Sequence, residues 1–363
     1  GVTDAQVGIL VAAPGILAML LMVPSAPLSS RLGHRKVMII SAISNTMAAT
    51  LYLTAQSFGQ VVVAQVIFGM ANAFFWPANL TYLCEVAGPE LLQQAQAVNT
   101  AFQGVGLVLG PIMAGGLMSL WGYPGALGLW LAITLINFAL SILLRPLAIE
   151  VPEESLLGSI KSSITGIPPM VKNPKLVVTM ASQFLSAAFM TSIGGAFLVL
   201  FVQDIGYTAA LASLFLSLRE LFGTLSRALY PRIARYMDNL IILSLAPLVT
   251  GAGLLLGFIF PSLPTLVIAV AIAGFAMGIV APAGNTEASV NANPANLAVT
   301  IAVVIAMYQV GNVVFPYATG LLIGGMGRAQ GLIMATIAVM LMGIKPMTMA
   351  LRQSKKREGQ MNL

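Results

Sequence analysis

Arg219 and Glu220 stand side by side in the middle of the apolar stretch 206–229. A charged group taken out of water costs several kcal/mol unless a partner or a wet cavity offsets it. Chemistry at such a place is recognition of an opposite charge or carriage of a proton. Adjacent helix positions point about 100° apart, so the two need not pair with each other. At least one of them is expected to face a cavity or to reach another helix. Arg219 is then a candidate anchor for an anionic group or a gating partner, and Glu220 a candidate proton carrier. The competing explanation is a structural ion pair.

Other ionisable residues lie near the ends of apolar stretches. Arg227 is expected to snorkel to the membrane interface or to fasten the following loop. Glu85 and Glu287 lie at inner ends of their stretches and are expected near water, as weaker coupling candidates. Neutral polar groups complete a candidate lining. Asn72, Trp76 and Asn79 recur at helical spacing on one face. Gln183 and Ser186, with Thr191, fall on a second stretch and Asn285 on a third. Tyr308 and Asn312, with Gln309, fall on a fourth. Trp76 and Tyr308 could stack on an apolar or aromatic molecule. For each of these residues a hydrogen bond between helices competes with ligand contact.

The elements that must hold these groups follow from composition. Of 363 residues, 58% are hydrophobic and 8% charged, and the mean hydropathy is +0.93. A soluble surface needs roughly 25% charged residues; the 17 basic and 11 acidic residues here are too few to coat one. The surrounding medium is therefore expected to be lipid. A hydrocarbon layer about 30 Å thick takes about 20 apolar residues as a helix. Eleven spans are expected, near 7–29, 37–56, 60–83, 96–119, 123–144, 176–203, 206–229, 240–260, 263–286, 297–322 and 329–350. The expected class is all-α, with no enzyme activity, no cofactor and no metal: one cysteine, Cys84, and one histidine, His34, make no ligand cluster.

Positive charge collects in alternate loops. One set holds Arg31, Arg35 and Lys36, then Arg145, Lys161, Lys172 and Lys175, then Arg232 and Arg235, then the tail from Arg352. The other set holds only Arg328. Cationic loops stay in the cytoplasm, which places the C-terminus inside a cell membrane and Gly1 outside. An odd number of spans follows independently. The net charge of +6 thus reports topology, and no nucleic-acid partner is expected. The polar stretch 146–175 divides a first bundle, 1–145, from a second, 176–350, followed by a basic tail, 351–363.

The two bundles align without a gap at an offset of 205. Gly69 maps to Gly274, Pro77 to Pro282, Thr81 to Thr286 and Pro89 to Pro294. Gly106 maps to Gly311, Pro111 to Pro316, Gly115 to Gly320 and Gly122 to Gly327. Both copies keep the same orientation, so the repeat is parallel. Membrane proteins built this way place a binding site near the midplane, between the halves.

The stretch from Ala26 to Lys36 resembles the loop signature of the major facilitator superfamily. That signature runs Gly, three residues, Asp, Arg, one residue, Gly and two basic residues. Arg31, Gly33, Arg35 and Lys36 match it; Ala26 stands for the Gly and Ser30 for the Asp. Pro231 to Arg235 resembles its repeat, with Ala234 in place of the acid. The missing acids leave the usual charge latch between helix ends without its carboxylate. Gly106, Gly110, Pro111, Ala114 and Gly115 resemble the family's fifth-helix pattern, commonest in proton-exchanging exporters. As a packing motif, its small residues would let helices approach closely. Gln65 stands where exporters often carry an Arg.

The resemblance implies a six-plus-six fold whose first helix is absent from this chain. It also implies alternating access to a midplane site. The candidate lining itself reads as mostly apolar with few charges, which favours amphiphilic, hydrophobic or weakly anionic solutes over sugars or polycations. The expectation is a monomeric secondary transporter coupled to protons and exporting a small organic solute. Proton-coupled uptake of an organic anion, and a transport-inactive relative acting as receptor or assembly partner, are the alternatives.

Overall fold

The computed structural model describes residues 3–147, 155–292 and 297–361. Within them the chain is helical, joined by short turns. The first three helices are α1 (Asp4–Leu32), α2 (His34–Thr54) and α3 (Phe58–Leu143). Polar caps fix where they start. Thr3 and Gln6 form a reciprocal capping box on α1, as do Ser57 and Gln60 on α3. Each box satisfies amide protons that a helix start leaves without partners.

Helix α3 runs for 86 residues. Drawn straight at about 1.5 Å per residue it would be about 130 Å long, several bilayers deep. It folds back instead. Phe68 meets Trp130 edge to face at 5.6 Å, and the Tyr82 hydroxyl donates to the Arg145 carbonyl at 3.1 Å. One fold is at Gly122, whose φ of +67° suits glycine alone. Ten helical segments among the described residues are long and apolar enough to cross a bilayer, and one of them, Phe102–Leu143, is 42 residues long. That segment holds two crossings about Gly122, in line with the eleven spans expected.

The expected linker 146–175 contains two short helices, α4 (Leu156–Thr165) and α5 (Ile167–Met170); residues 148–154, with Glu150, Glu153 and Glu154 among them, lie outside the described residues. Then come α6 (Pro174–Ala187), a wider π-helical segment (Ala188–Ala196) and α7 (Phe197–Asp204), together one broken crossing. Helix α8 spans Ala209–Ile233, α9 Asn239–Ile259, α10 Leu263–Gly278 and α11 Val280–Asn291. Last are α12 (Leu297–Met326) and α13 (Arg328–Met361). The main core lies around the broken crossing, where Phe189, Ile193, Phe197 and Leu198 pack against Leu243, Leu254 and Leu266.

The repeat recurs in three dimensions. A side chain at Gly69 would collide with the Pro14 carbonyl, and one at Gly274 with the Arg219 carbonyl; both glycines and both carbonyls are 205 positions apart. Gly122 and Gly327 share the offset and both have positive φ, +67° and +83°. Two seams join the halves, α1 on α12 and α3 on α8. A methyl group at Gly8 would stand 2.6 Å from the Pro316 carbonyl, and one at Gly115 3.2 Å from Ser213. Under the same offset position 8 becomes position 213 and Pro316 becomes Pro111, and Pro111 and Ser213 line one groove, so the two seams use corresponding positions.

Candidate functional site

The charged cluster is built on α8. Glu220 is 4% exposed and Arg219 8%. Ser217, Glu220, Thr224 and Arg227 recur every three or four residues, which puts them on one face. The Arg219 guanidinium folds back along its own helix. Its Nε donates to Glu220 Oε1 at 3.2 Å and its Nη2 to the same oxygen at 2.8 Å. The neighbours do pair, because the long Arg stem covers the 100° between them. Arg227 Nη2 stands 3.8 Å from Glu220 Oε2. Arg227 therefore points inward rather than snorkelling to the interface, and its side chain is 12% exposed. Two guanidiniums share one carboxylate, leaving one positive charge in excess. Arg227 Nη1 is buried with no hydrogen-bond partner among the described residues.

Arg219 also reaches the broken crossing. Its Nη1 donates to the Met190 carbonyl at 3.0 Å and to the Gly194 carbonyl. These carbonyls are presented by a segment that departs from the α-helix. Gly195 has φ −108° and ψ −107°, outside helical space. A side chain there would meet the Met190 carbonyl at 2.6 Å. The opposite face of the segment is tied to α12. Thr191 Oγ1 donates to Asn312 Oδ1 at 2.9 Å, Asn312 Nδ2 to Gln309 Oε1 at 2.8 Å, and Ser192 Oγ to Thr319 Oγ1 at 3.0 Å. Tyr308, half-buried on α12, lies within electrostatic reach of Arg219 and Glu220. Arg219, Glu220, Tyr308 and Asn312 are thus brought together around the break.

The remaining candidates lie elsewhere. Gln183 packs its amide nitrogen where a side chain on Gly284 would stand, 2.7 Å away, beside half-buried Asn285. Ser186 spends its hydroxyl on the Ser182 carbonyl of its own helix, 2.7 Å away. Asn72 likewise donates to the Phe68 carbonyl at 2.9 Å, and Trp76 sits edge-on to Phe75 at 5.3 Å. Asn79 is half-buried on the same crossing. Glu287 is 3% exposed and accepts from Asn291 Nδ2 at 2.9 Å. It is thus enclosed by protein, where nearby water was expected. The Glu85 side chain lies outside the described residues.

The loop motif holds the α1–α2 turn, while the fifth-helix pattern packs less closely than expected. The Arg35 guanidinium donates to the Ile142 carbonyl at 2.5 Å, tying the start of α2 to the end of α3. Ser29 Oγ and His34 Nδ1 close the α1–α2 turn at 2.7 Å, and Gly33 turns the chain there with φ +86°. Lys36 is exposed, Arg31 is half-buried and has a partner, and Arg235 is exposed in the turn after α8. In the fifth-helix pattern only Gly115 is in close contact. Gly106 and Gly110 open onto empty space, and Pro111 lines a groove with Gly115, Ser213 and Leu214. The other tight approach of this crossing is at Gly104, where a side chain would stand 2.6 Å from Thr224 Oγ1.

Three features escaped the sequence reading. The seven-residue spacing from Glu220 to Arg227 carries the second ion pair. The adjacent glycines Gly194 and Gly195 mark the break. Asp204 pairs with Arg328 at the side opposite the basic loops; nothing in their local sequence joins residues so far apart.

A family model described as Major Facilitator Superfamily matches residues 1–316. The chain belongs to the major facilitator superfamily. Among curated relatives, an uncharacterized MFS-type transporter of Schizosaccharomyces pombe is 28% identical over 122 residues, 33% of this chain and 27% of the relative. The multidrug resistance protein MdtG of Salmonella paratyphi B is 24% identical over 146 residues, 39% of this chain and 36% of MdtG. The matched stretch thus spans about a third of these relatives' length. Solved transporter structures share the fold over nearly all of the chain. The nucleoside transporter NupG superposes with TM-score 0.74 at 16% identity, covering 96% of this chain and 91% of NupG. A POT family transporter in complex with a thioalcohol-conjugated peptide superposes with TM-score 0.79 at 13% identity, covering 97% and 89%.

Proposed function

We propose that this superfamily member is a secondary active transporter that moves a small organic solute across the cell membrane by alternating access, driven by protons and directed outward. It acts as a monomer with the basic loops and the C-terminus in the cytoplasm. The observation that carries the reading is Glu220. It is a carboxylate 4% exposed in the middle of a crossing, held by two arginines and next to a helix break. Membrane-buried carboxylates of this kind mark proton pathways. A proton taken up on Glu220 would cancel its attraction for Arg219 and Arg227, and a proton lost would restore it. That is a local electrostatic switch joined to a movable element. The similarity to a multidrug resistance protein supports efflux and a broad, mostly apolar solute. Half-buried Trp76 and Tyr308 would then supply aromatic faces to that solute.

Growth of cells on a panel of toxic compounds tests the direction. Overexpression should protect against at least one compound and deletion should sensitise to it. Sensitivity raised by overexpression would reverse the direction.

A second reading has its own observation. The cluster carries one positive charge in excess, and Arg227 Nη1 has no hydrogen-bond partner among the described residues. That suits a solute with one anionic group: taken up together with a proton on Glu220, it would leave the cluster at its resting charge. Under this reading Arg227→Gln abolishes binding of acids and spares neutral ligands. Equal loss of both classes would reject it.

A further inference from the structure

Arg219 does more than balance a charge. Its fork holds Glu220 on one side, and on the other the carbonyls of Met190 and Gly194, which belong to the segment that breaks the preceding crossing. In a regular α-helix these carbonyls would accept only from their own chain. The π-helical turns and the non-helical Gly195 let them turn toward α8. A buried carbonyl without a partner costs about 1–3 kcal/mol, so the break needs outside donors to persist. Arg219 supplies them from α8, and the hydroxyls of Thr191 and Ser192 tie the other face to α12.

The repeat shows that the donor is particular to one half. The position equivalent to Arg219 in the first half is Pro14, at the offset of 205. Both carbonyls pack against a glycine in the same way, yet Pro14 has no side chain that could donate.

We infer that Arg219 is a positioning residue that sets the bend of the broken crossing, and with it the placement of α7. The consequence is mechanical. α7 has eight residues, about 12 Å of helix. A change of about 20° in the bend, the size that marks a distinct kink, moves its far end by about 4 Å. Lysine cannot replace the fork. Its donors sit on one compact ammonium and do not span the gap between the carboxylate on one side and the carbonyls on the other, as the planar guanidinium does. Gly195→Ala works from the opposite helix: its side chain would stand 2.6 Å from the Met190 carbonyl, so that carbonyl must move from its place beside Arg219. The inference stands on geometry and requires neither the solute nor the coupling ion.

Spin labels at exposed Gln56 and Gln203, on the side opposite the basic loops, read that displacement. The background is Cys84→Ser, with the full chain in lipid nanodiscs and no solute or pH gradient, and double electron–electron resonance gives the distance distribution. Arg219→Lys should displace or broaden the distribution by about 4 Å relative to the parent. Gly195→Ala should shift it to a similar extent, and the double variant no further, since both release one contact. Arg227→Lys, in the same charge cluster but without bonds to the carbonyls, should superimpose on the parent. An unchanged distribution in Arg219→Lys would overturn the inference. So would a shift of equal size in Arg227→Lys. If Gly195→Ala does not fold, the comparison of the two arginine variants decides.

Discussion

Arg227 reaches Glu220 across two turns of α8, Nη2 to Oε2 at 3.8 Å, while Arg219 holds the other carboxylate oxygen at 2.8 Å. Glu220 is therefore the only acid in the cluster described above, and both guanidiniums depend on it. Removing one partner of a buried ion pair is far costlier than never having built it, by about 3–5 kcal/mol. Glu220→Gln should lower the thermal unfolding temperature of the purified protein markedly. Adding Arg227→Gln should restore part of the loss, with a coupling of about 0.5–3 kcal/mol. Strict additivity would mean that the two residues act independently.

The glycine pair Gly69 and Gly274 tests the pseudo-symmetry. Each lies against a backbone carbonyl, of Pro14 and of Arg219, which cannot move aside as a flexible side chain could. Gly69→Ala and Gly274→Ala should each destabilise by about 1–3 kcal/mol, the usual cost of overpacking, and by similar amounts. Thermal unfolding of the two variants checks this. A large effect at one site and none at the other would break the equivalence of the halves at this contact.

The fifth-helix pattern should respond unevenly. Gly106→Ala and Gly110→Ala point into open space and should stay within about 0.5 kcal/mol of the parent. Gly115→Val presses on Ser213 at the seam between halves, and should both destabilise the protein and slow solute exchange. Equal tolerance at all three positions would show that the seam is not closely packed in the working protein.

The fold was legible because lipid leaves few choices. Apolar runs of membrane-spanning length, basic charge in alternate loops and the 205 offset were enough for the span count and the repeat. The charged cluster was legible in part. Two adjacent charges in an apolar run announce a site, and their types announce its chemistry. How they pair depends on side-chain reach, which single-residue positions do not encode; Arg227 accordingly looked like an interface anchor until its direction was seen. Glu287 looked close to water because it lies near a helix end, but neighbouring helices cover it. The break at Gly194–Gly195 was concealed because glycines are common in membrane helices and most of them only ease packing.

The most direct test of the central claim is solute flux in proteoliposomes under an imposed pH gradient. A compound identified by the growth screen should move against its own gradient in the parent protein, and a protonophore should abolish that movement. Glu220→Gln should lose the pH-driven component while still exchanging solute for solute at equilibrium. Flux that follows the pH gradient equally well in Glu220→Gln and in the parent would contradict the account.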